Sequence, residues 1–172
     1  QYLLENYPAL LKGYRFGKQL YLAGDSAGGA ICTSLVINNI ANPNIIIDKQ
    51  ILIYPSVDYT MSCPSIQENG DGFLLENIAI AKDPVTSTLI TKASPLFSNF
   101  DSRMPKTLVI TAGCDPLRDE GVLYVEKTQQ AGVYVEHYQF DELIHAYMLL
   151  SKLIPEQYQQ TYQIIKNFIN NH

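Results

Sequence analysis

Gly24-Asp25-Ser26-Ala27-Gly28 has the spacing G-x-S-x-G, which is that of a nucleophile elbow. A strand that turns abruptly into a helix holds its central serine in a strained conformation, and only small neighbours let the backbone pass. The Ser26 hydroxyl would then stand above the sheet. The N-terminus of the following helix would face negative charge developing on an attacked carbonyl. By composition alone, two glycines and a serine at fixed positions would arise in roughly 6% of chains this long, taking about 7% per residue. The motif therefore draws its weight from context: an apolar run, Gln19 to Ala23, precedes it, and an apolar stretch of helix length, Ala27 to Ala41, follows. A dinucleotide fingerprint is the other glycine-rich reading. It fails because Ser26 occupies the place of the second glycine in G-x-G-x-x-G, where backbone must approach a pyrophosphate.

A serine nucleophile needs an imidazole base held by a carboxylate, and after such an elbow the chain order is Ser, acid, His. Of the three histidines, His172 ends the chain, and His137 falls inside a strand pattern, where a structural role is expected. His145 follows that strand in a loop and is the expected base. Asp115 comes just after another strand, on the same sheet edge, and is the expected acid; its competing job is to cap the helix that starts near Leu117. Asp58, after the second strand, is the other carboxylate that topology allows. Asp119 lies further into the helix and complements its dipole, while Asp25 sits too close to Ser26 to orient a distant ring.

These residues need a sheet to hold them. Short apolar runs at Gln19 to Ala23, Gln50 to Tyr54, Thr107 to Ala112 and Val133 to Phe140 read as four strands. They alternate with helix-length segments at Ala27 to Ala41 and Leu117 to Ala131, the second stopped by Gly132, which is the pattern of parallel β-α units. Tyr158, Tyr162, Ile165, Phe168 and Ile169 mark one face of a closing helix that packs on the sheet. The stretch from Asp58 to Phe100 reads as long loops with one short helix near Leu74 to Lys82. If Gln19 to Ala23 carries the elbow it should be a central strand. Only Gln1 to Arg15 lies upstream, and it reads as helical, so N-terminal strands of the same domain are expected beyond this sequence. Residues 1–172 thus read as the C-terminal part of a single catalytic domain.

The composition permits this. Of the 172 residues, 47% are hydrophobic and 17% charged, which is ordinary for a globular domain. The net charge of −5, without a Lys/Arg cluster, excludes a nucleic-acid surface. No apolar run approaches a membrane span. The three cysteines have no C-x-x-C spacing, which argues against a disulfide framework and a zinc site and fits a reducing, cytoplasmic compartment. Cys32 lies in an apolar helical run and Cys114 after a strand; both read as packing, and Cys63 before Pro64 carries no signal.

Taken together, these segments resemble the hormone-sensitive-lipase-like branch of the α/β-hydrolases. Gly24 to Gly29 reads GDSAGG, the nucleophile signature of that branch. Tyr54-Pro55 with Asp58, Asp71-Gly72-Phe73-Leu74-Leu75, Ser94-Pro95-Leu96 and Asp115-Pro116-Leu117-Arg118-Asp119-Glu120-Gly121 are similar to its later motifs and stand in the same order. Ala131-Gly132-Val133 then leads to His145. The resemblance runs from near Lys18 to the end of the chain. It implies a three-layer α-β-α fold, with Ser26, Asp115 and His145 as nucleophile, acid and base. It also implies hydrolysis of carboxylic esters, commonly of short acyl chains, with no cofactor and no metal.

Two departures bear on these expectations. The family usually places Gly before the base dipeptide and Phe after it, whereas this stretch reads Glu142-Leu143-Ile144-His145-Ala146-Tyr147. The His-Gly-Gly-Gly motif that would complete the oxyanion hole beside Ala27 is missing, so the 172 residues alone are expected to be weak or inactive. The expected partners are a small-molecule ester, the N-terminal part of the same domain and, as an open option, a second copy in a homodimer. An amidase or peptidase with the same triad, and a non-catalytic hydrolase-like interaction module, are the competing functions.

Overall fold

A computed structural model of the chain describes residues 19–43, 45–71 and 84–171. In chain order its elements are β1 (Tyr21–Asp25), α1 (Ala27–Ala41), β2 (Lys49–Ile53), α2 (Ser65–Asn69) and α3 (Pro84–Ala93). They continue with β3 (Lys106–Cys114), α4 (Arg118–Gln130), β4 (Val135–Ile144) and α5 (Pro155–Asn171). Tight 3-10 turns occupy Pro95–Phe97 and Tyr147–Leu150. The strands form one wholly parallel sheet in the order β1-β2-β3-β4. Among the described residues β1 pairs only with β2.

Side chains alternate across a strand, so a strand buried on both faces reads as a continuous apolar run. Leu52 and Val109 point to one face, where they meet Cys32 and Val36 of α1 and Tyr124 and Val125 of α4. Ile51, Leu108 and Ile110 point to the other, against Ile164 and Phe168 of α5. The result is the three-layer α-β-α arrangement, an α/β-hydrolase fold. The buried polar residues in these strands are paired. Lys49 is buried, and its amine donates to the carbonyls of Phe168 and Ile169 at 3.0 and 2.6 Å. It thereby satisfies carbonyls that the end of α5 would leave open and complements that helix's dipole.

The structure refines several expectations. β4 runs on to Ile144, so His145 leaves the strand end directly rather than from a longer loop. Helix α4 stops as expected, with Gly132 at φ 80°. Among the described residues the segment after Asp58 holds two helices, α2 and α3; the helix expected near 74–82, the one expected at 1–15 and His172 lie outside the described residues. On α5 the packed stripe is Thr161, Ile164 and Phe168, flanked by Ile165 and Ile169, while Tyr162 is 50% exposed. One residue along a helix is about 100° of rotation. That offset turns Tyr158 and Tyr162 outward, where their rings meet edge-on with centroids 5.0 Å apart.

Candidate active site

Ser26 joins β1 to α1 with φ 50° and ψ −121°, a conformation that costs a non-glycine residue and persists only where its surroundings enforce it. They do so here by close contact and hydrogen bonds. A Cβ on Gly24 would lie 2.3 Å from the carbonyl oxygen of Gly28, and one on Gly29 would lie 2.7 Å from Pro55 Cβ. Gly28 is different: a Cβ there meets only Asp25 Oδ1, at 3.6 Å. The Ser26 N–H donates to the Ile53 carbonyl at 2.9 Å, and the Ser26 carbonyl accepts from the Ser56 N–H at 3.1 Å, tying the elbow to β2 and the loop after it. Ala27 opens α1, so its N–H is one of the helix donors that no intrahelical carbonyl can satisfy. Beside it runs a groove of about 380 Å³ lined by Ala27, Ala30, Ile31, Leu35, Ser56 and Tyr59, among others.

Residues far apart in the chain meet at this rim. Ser26 Oγ is 2.9 Å from His145 Nε2, and His145 Nδ1 is 2.8 Å from Asp115 Oδ2. An ionised carboxylate can only accept, so the ring proton belongs on Nδ1, leaving Nε2 to accept from the serine hydroxyl. Asp115 is fully buried and His145 nearly so. The other oxygen of Asp115, Oδ1, accepts the Leu117 N–H at 2.8 Å. One oxygen of this aspartate thus meets the histidine ring and the other meets the backbone N–H just before α4. β3 reaches Asp115 through a bulge at Gly113, where a Cβ would fall 2.1 Å from the Asp141 carbonyl oxygen. This close approach sets the ends of β3 and β4 together. Ala146, directly after the histidine, turns the chain with φ 57°.

The remaining expected residues lie elsewhere. Asp58 is buried but faces its own loop, accepting from Thr60 and Ser62. Asp25 accepts from the Tyr54 hydroxyl at 3.4 Å, and Asp119 accepts the Ser65 N–H at 2.9 Å. His137 pairs with Thr111 Oγ1, and burial lowers its pKa below the ordinary histidine range. Cys32 and Cys63 are buried and Cys114 partly so. Burial, with Asp58 nearby, pushes the Cys63 thiol up to about 12, which leaves it protonated and unreactive. Among the described residues no cluster of His, Cys, Asp and Glu is arranged to hold a metal ion, and no helix is long and apolar enough to cross a membrane.

Sequence reasoning missed the groups that hold the histidine and the acid loop. The Tyr54 ring stands edge-on to His145, with centroids 5.0 Å apart, and to Tyr147 at 5.3 Å. Tyr147 in turn bonds to Thr161 Oγ1 at 2.9 Å, which ties the histidine loop to α5. Glu120 is fully buried; its Oε1 accepts the N–H groups of Val57 and Asp58 at 2.6 and 3.1 Å, and its Oε2 has no hydrogen-bond partner among the described residues. Burial, reinforced by Asp58 and Asp115, raises its pKa to about 8. The signal available in the sequence was a charged residue in helical register with the apolar face of α4: Glu120 stands four residues before Tyr124.

Comparison with known proteins gives the family. Residues 4–149 match the model of a family described as alpha/beta hydrolase fold. The chain is 33% identical over 147 residues to an ethyl acetate hydrolase of Pseudomonas putida, covering 81% of this chain and 46% of that protein. It is 31% identical over 157 residues to the esterase LipI of Mycobacterium tuberculosis, covering 83% and 47%. Among solved structures, a hyperthermophilic esterase from the archaeon Pyrobaculum calidifontis superposes with a TM-score of 0.81 at 30% identity, covering 96% of this chain and 56% of that one. The chain thus spans about half the length of the curated relatives it matches. With its parallel sheet, its serine elbow and the GDSAGG signature, the chain belongs to the alpha/beta hydrolase fold family, in its hormone-sensitive-lipase-like branch.

Proposed function

We propose that this chain is the C-terminal, triad-bearing part of one α/β-hydrolase catalytic domain, that of a carboxylesterase that hydrolyses short-acyl esters through a serine acyl-enzyme. The observation that carries the reading is the unbroken relay from Ser26 Oγ through both ring nitrogens of His145 to Asp115, at 2.9 and 2.8 Å. Ser26 Oγ attacks the ester carbonyl carbon while His145 Nε2 takes its proton, and Asp115 stabilises the imidazolium that forms. The tetrahedral oxyanion is held by the Ala27 N–H and the positive end of α1. His145 then returns the proton to the leaving alcohol. A water deprotonated by the same nitrogen attacks the acyl-enzyme, releasing the acid and restoring Ser26. The name of the Pseudomonas putida relative, an ethyl acetate hydrolase, supports a short acyl group and a small alcohol. The share of each relative that the chain covers, and the single neighbour of β1 among the described residues, support further strands and a second oxyanion donor from the same domain. A missing donor of this kind costs about 10²–10³-fold in rate.

Turnover of p-nitrophenyl acetate and longer acyl homologues by the natural protein that contains this chain tests the reading. Hydrolysis that is fastest for acetate and lost in Ser26→Ala is expected. Hydrolysis unaffected by Ser26→Ala would overturn it, and no hydrolysis of any ester would favour an interaction module.

A further inference from the structure

We propose that Ser65 is a positioning residue for this site: its hydroxyl fixes the peptide unit that orients the Asp115 carboxylate. The inference rests on the triad reading above. Ser65 is fully buried at the start of α2 and lies about fifty residues from the acid loop in sequence. Its Oγ donates to the Pro116 carbonyl at 2.7 Å. That carbonyl and the Leu117 N–H belong to one planar peptide unit, and the Leu117 N–H is the donor to Asp115 Oδ1 at 2.8 Å. Holding one end of a rigid plane fixes the rotation of the other. The connection therefore runs from the Ser65 hydroxyl through the Pro116–Leu117 peptide to Asp115, and from there to His145 and Ser26. Hydrogen bonds in such a chain polarise one another, so the effect is greater than that of an isolated contact.

The rest of α2 supports the same loop. Ser65 Oγ also accepts the Asp119 N–H at 3.2 Å, and the Ser65 N–H donates to Asp119 Oδ2 at 2.9 Å. Asn69, one helical turn on, directs its Nδ2 to the carbonyls of Asp115 and Gly113 at 3.3 and 3.5 Å. Glu68 pairs with Arg118, whose guanidinium also donates to the Gly113 carbonyl at 3.1 Å. Residues three and four apart share a helix face, so Ser65, Glu68 and Asn69 act on the acid loop together. The Glu68–Arg118 pair is the most exposed of these contacts, and such a pair contributes little. Ser65 lies nearest to the reacting groups along the chain of bonds.

The test compares Ser65→Ala, Ser65→Cys and Ser65→Thr in the natural protein. Removing the hydroxyl lets the Asp115 carboxylate rotate, so kcat for p-nitrophenyl acetate falls about 10- to 10²-fold while KM stays within about twofold. Threonine, which keeps the hydroxyl, restores kcat; cysteine, which fills the space but donates weakly, does not. The low-field proton resonance of His145 Nδ1–H, read without turnover, shifts in the alanine and cysteine variants and returns in the threonine variant. Folded alanine and cysteine variants with wild-type kcat and an unmoved resonance would overturn the inference. Should Ser65→Ala fail to fold, Ser65→Cys decides it by the same readings. A wild-type protein inactive on every ester would remove the esterase reading, and the resonance alone would then decide whether Ser65 positions Asp115.

Discussion

The two halves of the proposed active site are held in place by different physics. At the elbow, Ser26 is fixed by crowding: Gly24 lies against Gly28, four residues on, and Gly29 against Pro55 in the loop after β2. At the acid loop, Asp115 is fixed by polar contacts from residues 44 to 54 positions away, on α2. Steric enforcement tolerates no added atom. Hydrogen-bond enforcement tolerates any replacement that keeps a donor or acceptor in the same place. A nucleophile must stay in a strained conformation, and crowding supplies that; an acid must present two oxygens in fixed directions, and directional bonds supply that.

Breaking the acid side most severely is Asp115→Asn. The amide oxygen can still accept from Leu117, so the fold survives. The amide N–H₂ cannot accept from His145 Nδ1, so the ring is held in the wrong tautomer. Ester turnover is expected to fall about 10⁴-fold with unfolding unchanged, whereas Asp115→Ala also leaves the Leu117 N–H without its acceptor and loses about 1 kcal/mol of stability. Steady-state kinetics and denaturant unfolding of both variants check this. On the elbow side, Gly24→Ala places a methyl inside the Gly28 backbone and should destabilise by about 3 kcal/mol while abolishing turnover. Gly28→Ala meets only ordinary contact, and it should leave stability unchanged or raise it by up to about 1 kcal/mol, because alanine is the better helix residue. Equal losses from the two variants would contradict crowding as the cause.

Glu120 sharpens the comparison through pH. It joins α4 to the loop after β2, and burial raises its pKa from 4.5 to about 8. The folded protein then keeps a proton that the unfolded chain releases. The stability it contributes is fully present below pH 4.5 and is lost progressively as pH rises to about 8. Glu120→Gln keeps the acceptor for Val57 and Asp58 and cannot ionise. Its melting temperature should match that of the wild type near the lower limit and exceed it increasingly toward the upper one. A difference independent of pH would contradict this. The smallest expected effect is at Ala146, whose φ of 57° costs an L-residue about 1–2 kcal/mol. Glycine relieves that cost but loses chain entropy, so Ala146→Gly should gain about 0.5–1 kcal/mol in denaturant unfolding.

How legible each half was in the sequence follows from the same difference. Crowding between neighbours leaves a compact motif, so GDSAGG marked Ser26 and Ala27, and strand order then placed Asp115 and His145 at one rim. The four strands and α1 were legible because apolar runs and breakers are local signals. Ser65, Asn69 and Glu120 were not, because a buried hydroxyl or carboxyl carries no mark of a partner some fifty or sixty residues away. Tyr54 stood in the sequence only as part of a motif and Tyr147 only as part of a departure from one; that the Tyr54 ring stands edge-on to both His145 and Tyr147 depends on where β2 and β4 end. On α5 the expected face held for Ile165, Phe168 and Ile169 and failed at Tyr162, because a tyrosine satisfies an apolar pattern and a solvent-facing one equally well.

The most direct measurement is to treat the natural protein with a fluorophosphonate and locate the adduct by peptide mass spectrometry. A single adduct on Ser26 is expected, strongly reduced in His145→Ala although the serine remains. Labelling at another residue, or labelling of Ser26 that is indifferent to the loss of His145, would contradict the relay on which the proposed chemistry depends.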